Sequence, residues 1–378
     1  MNRMTCLLVV LTAVVTAGEG RTQERRWLGR QNCPPPCDCP PLLPPSARPN
    51  EPNAMSPSAQ APQSNAFNEA LASAGESGTQ PAAGYMPGFF GDILGGCVAS
   101  QVFLGASGNA IACMPNPATS SGFNITEGES PRPQNRVYYN YNFFGNVAVD
   151  VGANNFAIPV AQVSRHVIGF EKTLFDERAS VGLRLPFLSI GGDPAYQAAA
   201  VCDMSIIAKY AFIQNPETGN VLSGGMVIRV PTSSTLVFRD ATGQRTLDQA
   251  RIDDVSLQPF VGYIYNFTEN LYFQGFHSIA FPTARVDVTF MCNDVGFGYW
   301  LLRNPEGNLI QGIVPTLEMH INTPFSNRTL QPVHMEDQVT LTTGAYFVLP
   351  RSAIGLAVGV PFAGLNTIEA IASYQLRF

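Results

Sequence analysis

The feature that most constrains this chain is a succession of strand-length runs, from residue 136 to residue 378, in which apolar and polar side chains alternate. Alternation at period two gives a strand two chemically different faces. In RVYYNYNF, Val137, Tyr139, Tyr141 and Phe143 share one face, and Arg136, Tyr138, Asn140 and Asn142 share the other. ASVGLRLPF sets Val181, Leu183, Leu185 and Phe187 against Ser180, Gly182 and Arg184. CDMSIIAKYAF sets Met204, Ile206, Ala208, Tyr210 and Phe212 against Asp203, Ser205 and Lys209. NDVGFGYWL and AIGLAVGV repeat the pattern, the second with Gly355, Ala357 and Gly359 on its quiet face. Each run is about as long as a tilted strand needs to cross a bilayer, roughly 9–11 residues.

The runs predict about twelve strands, at 136–150, 163–175, 179–187, 201–213, 220–230, 257–267, 270–281, 292–303, 308–321, 337–349, 353–360 and 366–378. The runs 257–267 and 270–281 alternate least cleanly. The heptapeptide ENLYFQG (269–275) matches a protease site used in expression vectors, but it continues without a break into FHSIAFPT and reads as natural strand. Short connections (DER, NPETG, TE, NPEG, PRS) alternate with longer ones at 151–162, 188–200, 231–256, 282–291 and 322–336. The short final link, 361–365, is the exception. Bacterial barrels sort their turns this way, short on the periplasmic side and long outside. The last run ends Tyr374-Gln375-Leu376-Arg377-Phe378, with Ala370, Ala372, Tyr374 and Leu376 in phase with the terminal Phe. An alternating last strand that stops on Phe resembles the signal read by barrel-assembly machinery, carried here by Tyr374, Leu376 and Phe378.

These runs predict an all-β fold: a closed antiparallel transmembrane β-barrel at 134–378, preceded by a disordered Pro-rich leader. Hydrocarbon offers no water to an unpaired strand edge, so a membrane sheet must close on itself. Residues 1–17 read as a signal peptide: Arg3, a short apolar run, and Val15-Thr16-Ala17 before the cleavage point. Export would make the barrel a cell outer-membrane protein. Residues 18–84, rich in Pro, Ser, Ala, Asn and Gln, lack the apolar surface to fold. The glycine-rich segment 85–133, above all 86–113, is expected to be either a small plug in the lumen or a collapsed linker.

Charged residues make up 13% of the chain and the net charge is −6, which argues against a nucleic-acid partner. Cys33, Cys37 and Cys39 in CPPPCDCPP lack a neighbouring His or a full ligand set, so no metal and no cofactor is expected. Cys97 and Cys113 are close enough in sequence to pair, while Cys202 and Cys292 read as core residues. No GxSxG, HExxH or P-loop occurs, and His277 and Ser278 point to opposite faces of a strand, so no enzyme is expected. His320 and Glu318 share a face but have no nucleophile motif beside them.

The segments RPQNRVYYNYNFFGNV, GFEKTLFDERASVGLRLPF, KYAF with the following MVIRVPT, and IVPTLEMHINTP, with GFFGDILGG upstream, resemble uncharacterised outer-membrane barrels of planctomycete bacteria over residues 84–378. More loosely, the KYAF/VPT hairpin and terminal Phe are similar to porin-like proteins linked to phenol-degradation pathways. The resemblance implies a barrel in the outer membrane and names no solute.

A barrel would turn Arg136, Arg165, Glu171, Arg184, Asp203, Lys209, Arg229, Asp294, Glu318, Glu369 and Arg377 into the lumen. There they would either tune the passage of a solute or pair in a network that fills the interior. Lys172 falls on the lipid face, near a turn. Tyr138, Tyr139, Tyr141, Phe143, Phe144, Tyr263, Tyr265, Tyr299 and Phe347 are candidates for interfacial girdles. The leading expectation is a pore or transporter for small solutes, with outer-membrane lipid, assembly machinery and the solute as partners. The alternatives are a structural barrel with a filled lumen and a secreted soluble β-sandwich.

Overall fold

The structure, a computed structural model, describes residues 85–91, 97–103, 109–115, 124–151, 156–192, 197–239, 242–249, 255–283, 288–307, 309–325, 337–363 and 368–378. All of them belong to the compact unit Ser64–Phe378. The expected signal peptide and Pro-rich leader, with Cys33, Cys37 and Cys39, lie outside the described residues. No helix occurs among the described residues.

Twelve strands form the wall: β1 Arg136–Val151, β2 Phe156–Leu174, β3 Ala179–Gly191, β4 Met204–Gln214, β5 Val221–Val230, β6 Ser256–Asn266, β7 Leu271–Pro282, β8 Phe290–Tyr299, β9 Gly312–Pro324, β10 Gln338–Val348, β11 Ser352–Ala363 and β12 Glu369–Arg377. Each is antiparallel to the next. β12 pairs back onto β1 over nine registered positions, from Glu369↔Phe144 to Arg377↔Arg136. The sheet is therefore a closed antiparallel barrel with no free edge in its wall, the condition hydrocarbon imposes.

The wall is inside out relative to a water-soluble protein. Its outward row is apolar and open, as at Ile168 (51% exposed), Phe170 (43%) and Leu356 (55%). Its inward row is polar and covered: Arg136, Arg165, Arg184, Asp294 and Glu318 are fully buried. A contiguous apolar exterior of this extent is a liability in water and an asset in lipid.

Several boundaries differ from the sequence expectation. The first long connection, 151–162, is mostly strand: β1 and β2 run on to Val151 and from Phe156. FAIPV at 156–160 is apolar at every position, so no polar/apolar alternation marks it as strand. In the expected links at 188–200 and 231–256, β3 runs on to Gly191, and short strands occur at Ala198–Val201, Leu236–Arg239 and Arg245–Gln249. The strand expected at 292–303 stops at Tyr299 and resumes as Leu302–Arg303, after Trp300 turns inward and is buried. β9 starts at Gly312 rather than 308. The less clearly alternating runs both form strands, β6 and β7, and ENLYFQG enters β7 at Leu271.

Strands Cys97–Phe103 and Asn109–Pro115 form a hairpin that joins the sheet through Gln249 and Asp150, so this part of the segment expected to be a plug or a collapsed linker pairs with the sheet. In that hairpin Cys97 is registered with Pro115 and Cys113 with Ala99. Cys202 and Cys292 are buried.

Candidate functional site

The lumen holds two short pieces of the chain's own N-terminal region, 85–91 and 124–134. They hold each other: Phe89 N donates to Glu129 O (2.8 Å) and Gly128 N to Phe90 O (3.3 Å). Glycine is required where they touch. Gly91 (φ 86°) and Gly128 (φ 66°) are left-handed, and a Cβ on Gly91 would sit 2.5 Å from the Glu127 Cα. Tyr85, Met86, Phe89, Phe90, Ile125 and Glu127 are all buried. We call this two-piece unit the insert.

One side of the insert is ionic. Glu129 binds three wall cations: Oε1 accepts from Arg136 (2.5 Å) and Lys209 (2.8 Å), and Oε2 from Arg184 (2.8 Å). The same cations hold insert carbonyls: Arg136 donates to Gly128 O (2.8 Å), Arg184 to Asn124 O (3.1 Å) and Ile125 O (2.9 Å), and Lys209 to Ser130 O (2.6 Å). Glu171, from the wall, ties Arg136 (2.8 Å) to Lys209 (3.1 Å) and accepts from Ser180 Oγ and Gln134 N. Burial alone would raise the Glu129 carboxyl, but Lys209, Arg136 and Arg184 more than reverse this and hold it far below the usual carboxylate range. Arg165 faces Glu127 at 3.5 Å, and none of its three nitrogens makes a hydrogen bond among the described residues.

The other side is apolar with a polar anchor. Phe90 stacks on Tyr346 (4.2 Å between centroids, 15° between planes), and Phe89 packs against Phe276 and His320. The Glu318 carboxylate accepts Phe90 N (3.0 Å) and Gly91 N (3.1 Å). His320 lies between Asp294 (2.7 Å) and Glu318 (3.4 Å). Tyr85 Oη donates to Gln375, and Arg377 covers the Tyr85 ring at 4.1 Å.

Arg136, Arg165, Glu171, Arg184 and Lys209 thus gather around the insert's carboxylates, while Glu318, with Asp294 beside it, meets its backbone. Glu369 is buried against Asn142. Asp203 and Arg229 face each other at 4.0 Å, and Asp203 accepts Ser233 N. Arg377 is half-buried and also donates to Leu349 O. Of the terminal residues, Tyr374 and Leu376 face outward, and Phe378 stacks on Phe170 (5.9 Å) with Lys172 above its ring. That contact gives Lys172 a cation–π partner on the outer face.

Tyr138 and Phe144 are not girdle residues: both point inward and are buried. Tyr138 lies between guanidiniums, accepting from Arg184 Nε (2.7 Å) with Arg136 over its ring. The sequence reading missed Glu127 and Glu129, which belong to no strand. The available signal was charge: the first four strands turn mostly cations inward, and TEGES just upstream carries carboxylates.

No family model matches the chain, and no curated protein matches it. Among solved structures, it is similar to the COG4313 outer membrane channel from Pseudomonas putida F1 (12% identity, 65% of this chain, 96% of that chain, TM-score 0.44). The beta domain of the Bordetella autotransporter BrkA gives 11% identity over 65% of this chain and all of that one, with a TM-score of 0.43. The KdgM porin gives 9% over 64% and 99%, with a TM-score of 0.37. At these identities and scores the similarities carry no argument about function.

Proposed function

We propose that this chain is an outer-membrane pore for small solutes, closed at rest by its own insert. The carrying observation is that the lumen is filled by a separate piece of chain, held to a polar wall largely by ion pairs. Wall side chains that only had to fill the interior would pair with one another. Here the central carboxylate, Glu129, belongs to the insert and its three cations belong to β1, β3 and β4. Such contacts can separate in a water-filled lumen, where every group can be rehydrated. The outward apolar row supports lipid as surroundings. The expected signal peptide at 1–17 would carry the chain out of the cytoplasm.

One observation favours a second reading, a structural barrel that never opens: the lumen charges named above are almost completely buried. Planar-bilayer recording of the full-length protein and its Glu129→Ala variant separates the two. The pore reading expects rare openings in the natural protein and frequent, larger ones in the variant. Silence in both, with both proteins correctly folded, would support the structural barrel.

A further inference from the structure

The charges inside β1–β4 do not balance within the wall. Among the described side chains of these strands, Arg136, Arg165, Arg184 and Lys209 face inward against one wall carboxylate, Glu171. Asp203, just before β4, is engaged with Arg229 and Ser233 N. Compensation comes from the insert, through Glu129 at Arg136, Arg184 and Lys209 and Glu127 at Arg165. When the insert leaves and water enters, this wall keeps an excess of positive charge, which favours anions in the lumen.

Resting on the pore reading, we infer that this wall is the recognition site for the transported solute, and that the solute is a small organic anion with more than one carboxylate. Glu127 and Glu129 occupy that site as tethered surrogates. The Glu129 carboxylate uses both oxygens, as a free carboxylate would, and its pattern of two guanidiniums and one ammonium is indifferent to what lies behind the carboxyl carbon. Arg165 is the second point of attachment. Its guanidinium is fully buried and makes no hydrogen bond among the described residues, and its contact with Glu127 is loose at 3.5 Å. The surrogate satisfies this position poorly, and an untethered carboxylate can approach it bidentately. Competition between solute and insert couples binding to opening, because each solute carboxylate replaces a contact that holds the insert.

The test uses full-length protein, natural and Glu127→Gln/Glu129→Gln, with succinate as probe and putrescine and erythritol as controls. Calorimetry in detergent should show succinate binding the double variant at least tenfold more tightly than the natural protein, and neither control binding. Adding Arg184→Gln and Lys209→Gln should abolish that binding. In bilayers under a KCl gradient, the double variant should carry mainly chloride. If it conducts but prefers potassium, or binds succinate no better than putrescine, the inference fails and the pore stands. If nothing conducts but succinate binding depends on Arg184 and Lys209, the pore reading fails and the anion site stands. If neither is seen in protein whose migration on gels shows the folded form, both fail. Should the double variant not fold, Glu129→Gln alone is read against the same outcomes.

Discussion

Phe90 of the insert lies flat on Tyr346 of β10, in a seat whose floor is two glycines. A Cβ on Gly344 would come within 2.7 Å of the Phe90 ring, and one on Gly355 within 2.6 Å. The wall crowds the same positions: a Cβ on Gly344 would also lie 2.5 Å from Ala357 Cβ and Leu356 O, and one on Gly355 2.6 Å from the Tyr346 ring. Gly355→Leu should therefore expel Phe90 while leaving β11 paired, and raise conductance in bilayers. An unchanged current and an unchanged Phe90 environment would show that the seat is not what holds the insert.

Phe90→Ala removes the ring and leaves the seat empty. Deleting a buried Phe costs about 3–5 kcal/mol where the surroundings cannot collapse, and a barrel wall is poorly able to collapse. We expect that loss in the insert's docking rather than in the wall. Fast amide exchange at residues 85–91 with slow exchange maintained in β1–β12 would bear this out. Uniform loss of protection across the wall would contradict it.

Glu318 has a different task, accepting two adjacent insert N–H groups. Each hydrogen bond to a charged acceptor is worth about 1.5–3 kcal/mol net. Glu318→Ala should release the amides of Phe90 and Gly91 to exchange far faster, whereas Glu318→Gln, which keeps one carbonyl acceptor, should have a smaller effect. Equal effects would mean that the carboxylate's charge is irrelevant to docking.

The ionic side makes a prediction about pH. Folding lowers the Glu129 carboxyl from an ordinary value of 4.5. A group lowered on folding contributes its full stability above its unfolded pKa, and that contribution declines progressively as pH falls from there to the lowered value. The Glu129 tie should therefore survive at pH 4, where an ordinary carboxylate would be largely protonated. Recordings at pH 7 and pH 4 should show the same Glu129-dependent closure, measured as the difference between the natural protein and Glu129→Gln. Disappearance of that difference at pH 4 would mean the three cations do not act on Glu129 as the geometry implies.

What was legible in the sequence follows from what lipid demands. The wall strands show themselves because each must be apolar on its outward row, as Val181, Leu183 and Leu185 are against Ser180, Gly182 and Arg184. At Phe156 to Val160 both faces are apolar, alternation disappears, and 156–162 reads as a loop. Tyr138 and Phe144, which point inward, read as girdle residues in the sequence because aromatic character alone does not distinguish a ring under an arginine from one at a membrane surface. Alternation assigns the charges to a row of each strand but says nothing of their partners. Glu127 and Glu129 lie in a turn without period, and only the closed ring brings them to Arg165, Arg184 and Lys209. The insert's position depends on contacts such as Tyr85 with Gln375, 290 residues apart, which no local pattern encodes.

Everything proposed here requires that the first and last wall strands meet. Asn140 on β1 and Ser373 on β12 are registered partners facing the lumen, and Ser373 Oγ donates to Asn140 Oδ1 at 2.8 Å. Cross-strand partners lie within the roughly 4.4–6.8 Å Cα separation a disulfide accepts. With the double substitution Asn140→Cys/Ser373→Cys in lipid vesicles, we predict near-complete disulfide formation under mild oxidation, closing a covalent ring that changes migration of the boiled, unreduced protein on gels. Two thiols that stay reduced and both react with maleimide would mean the seam is open.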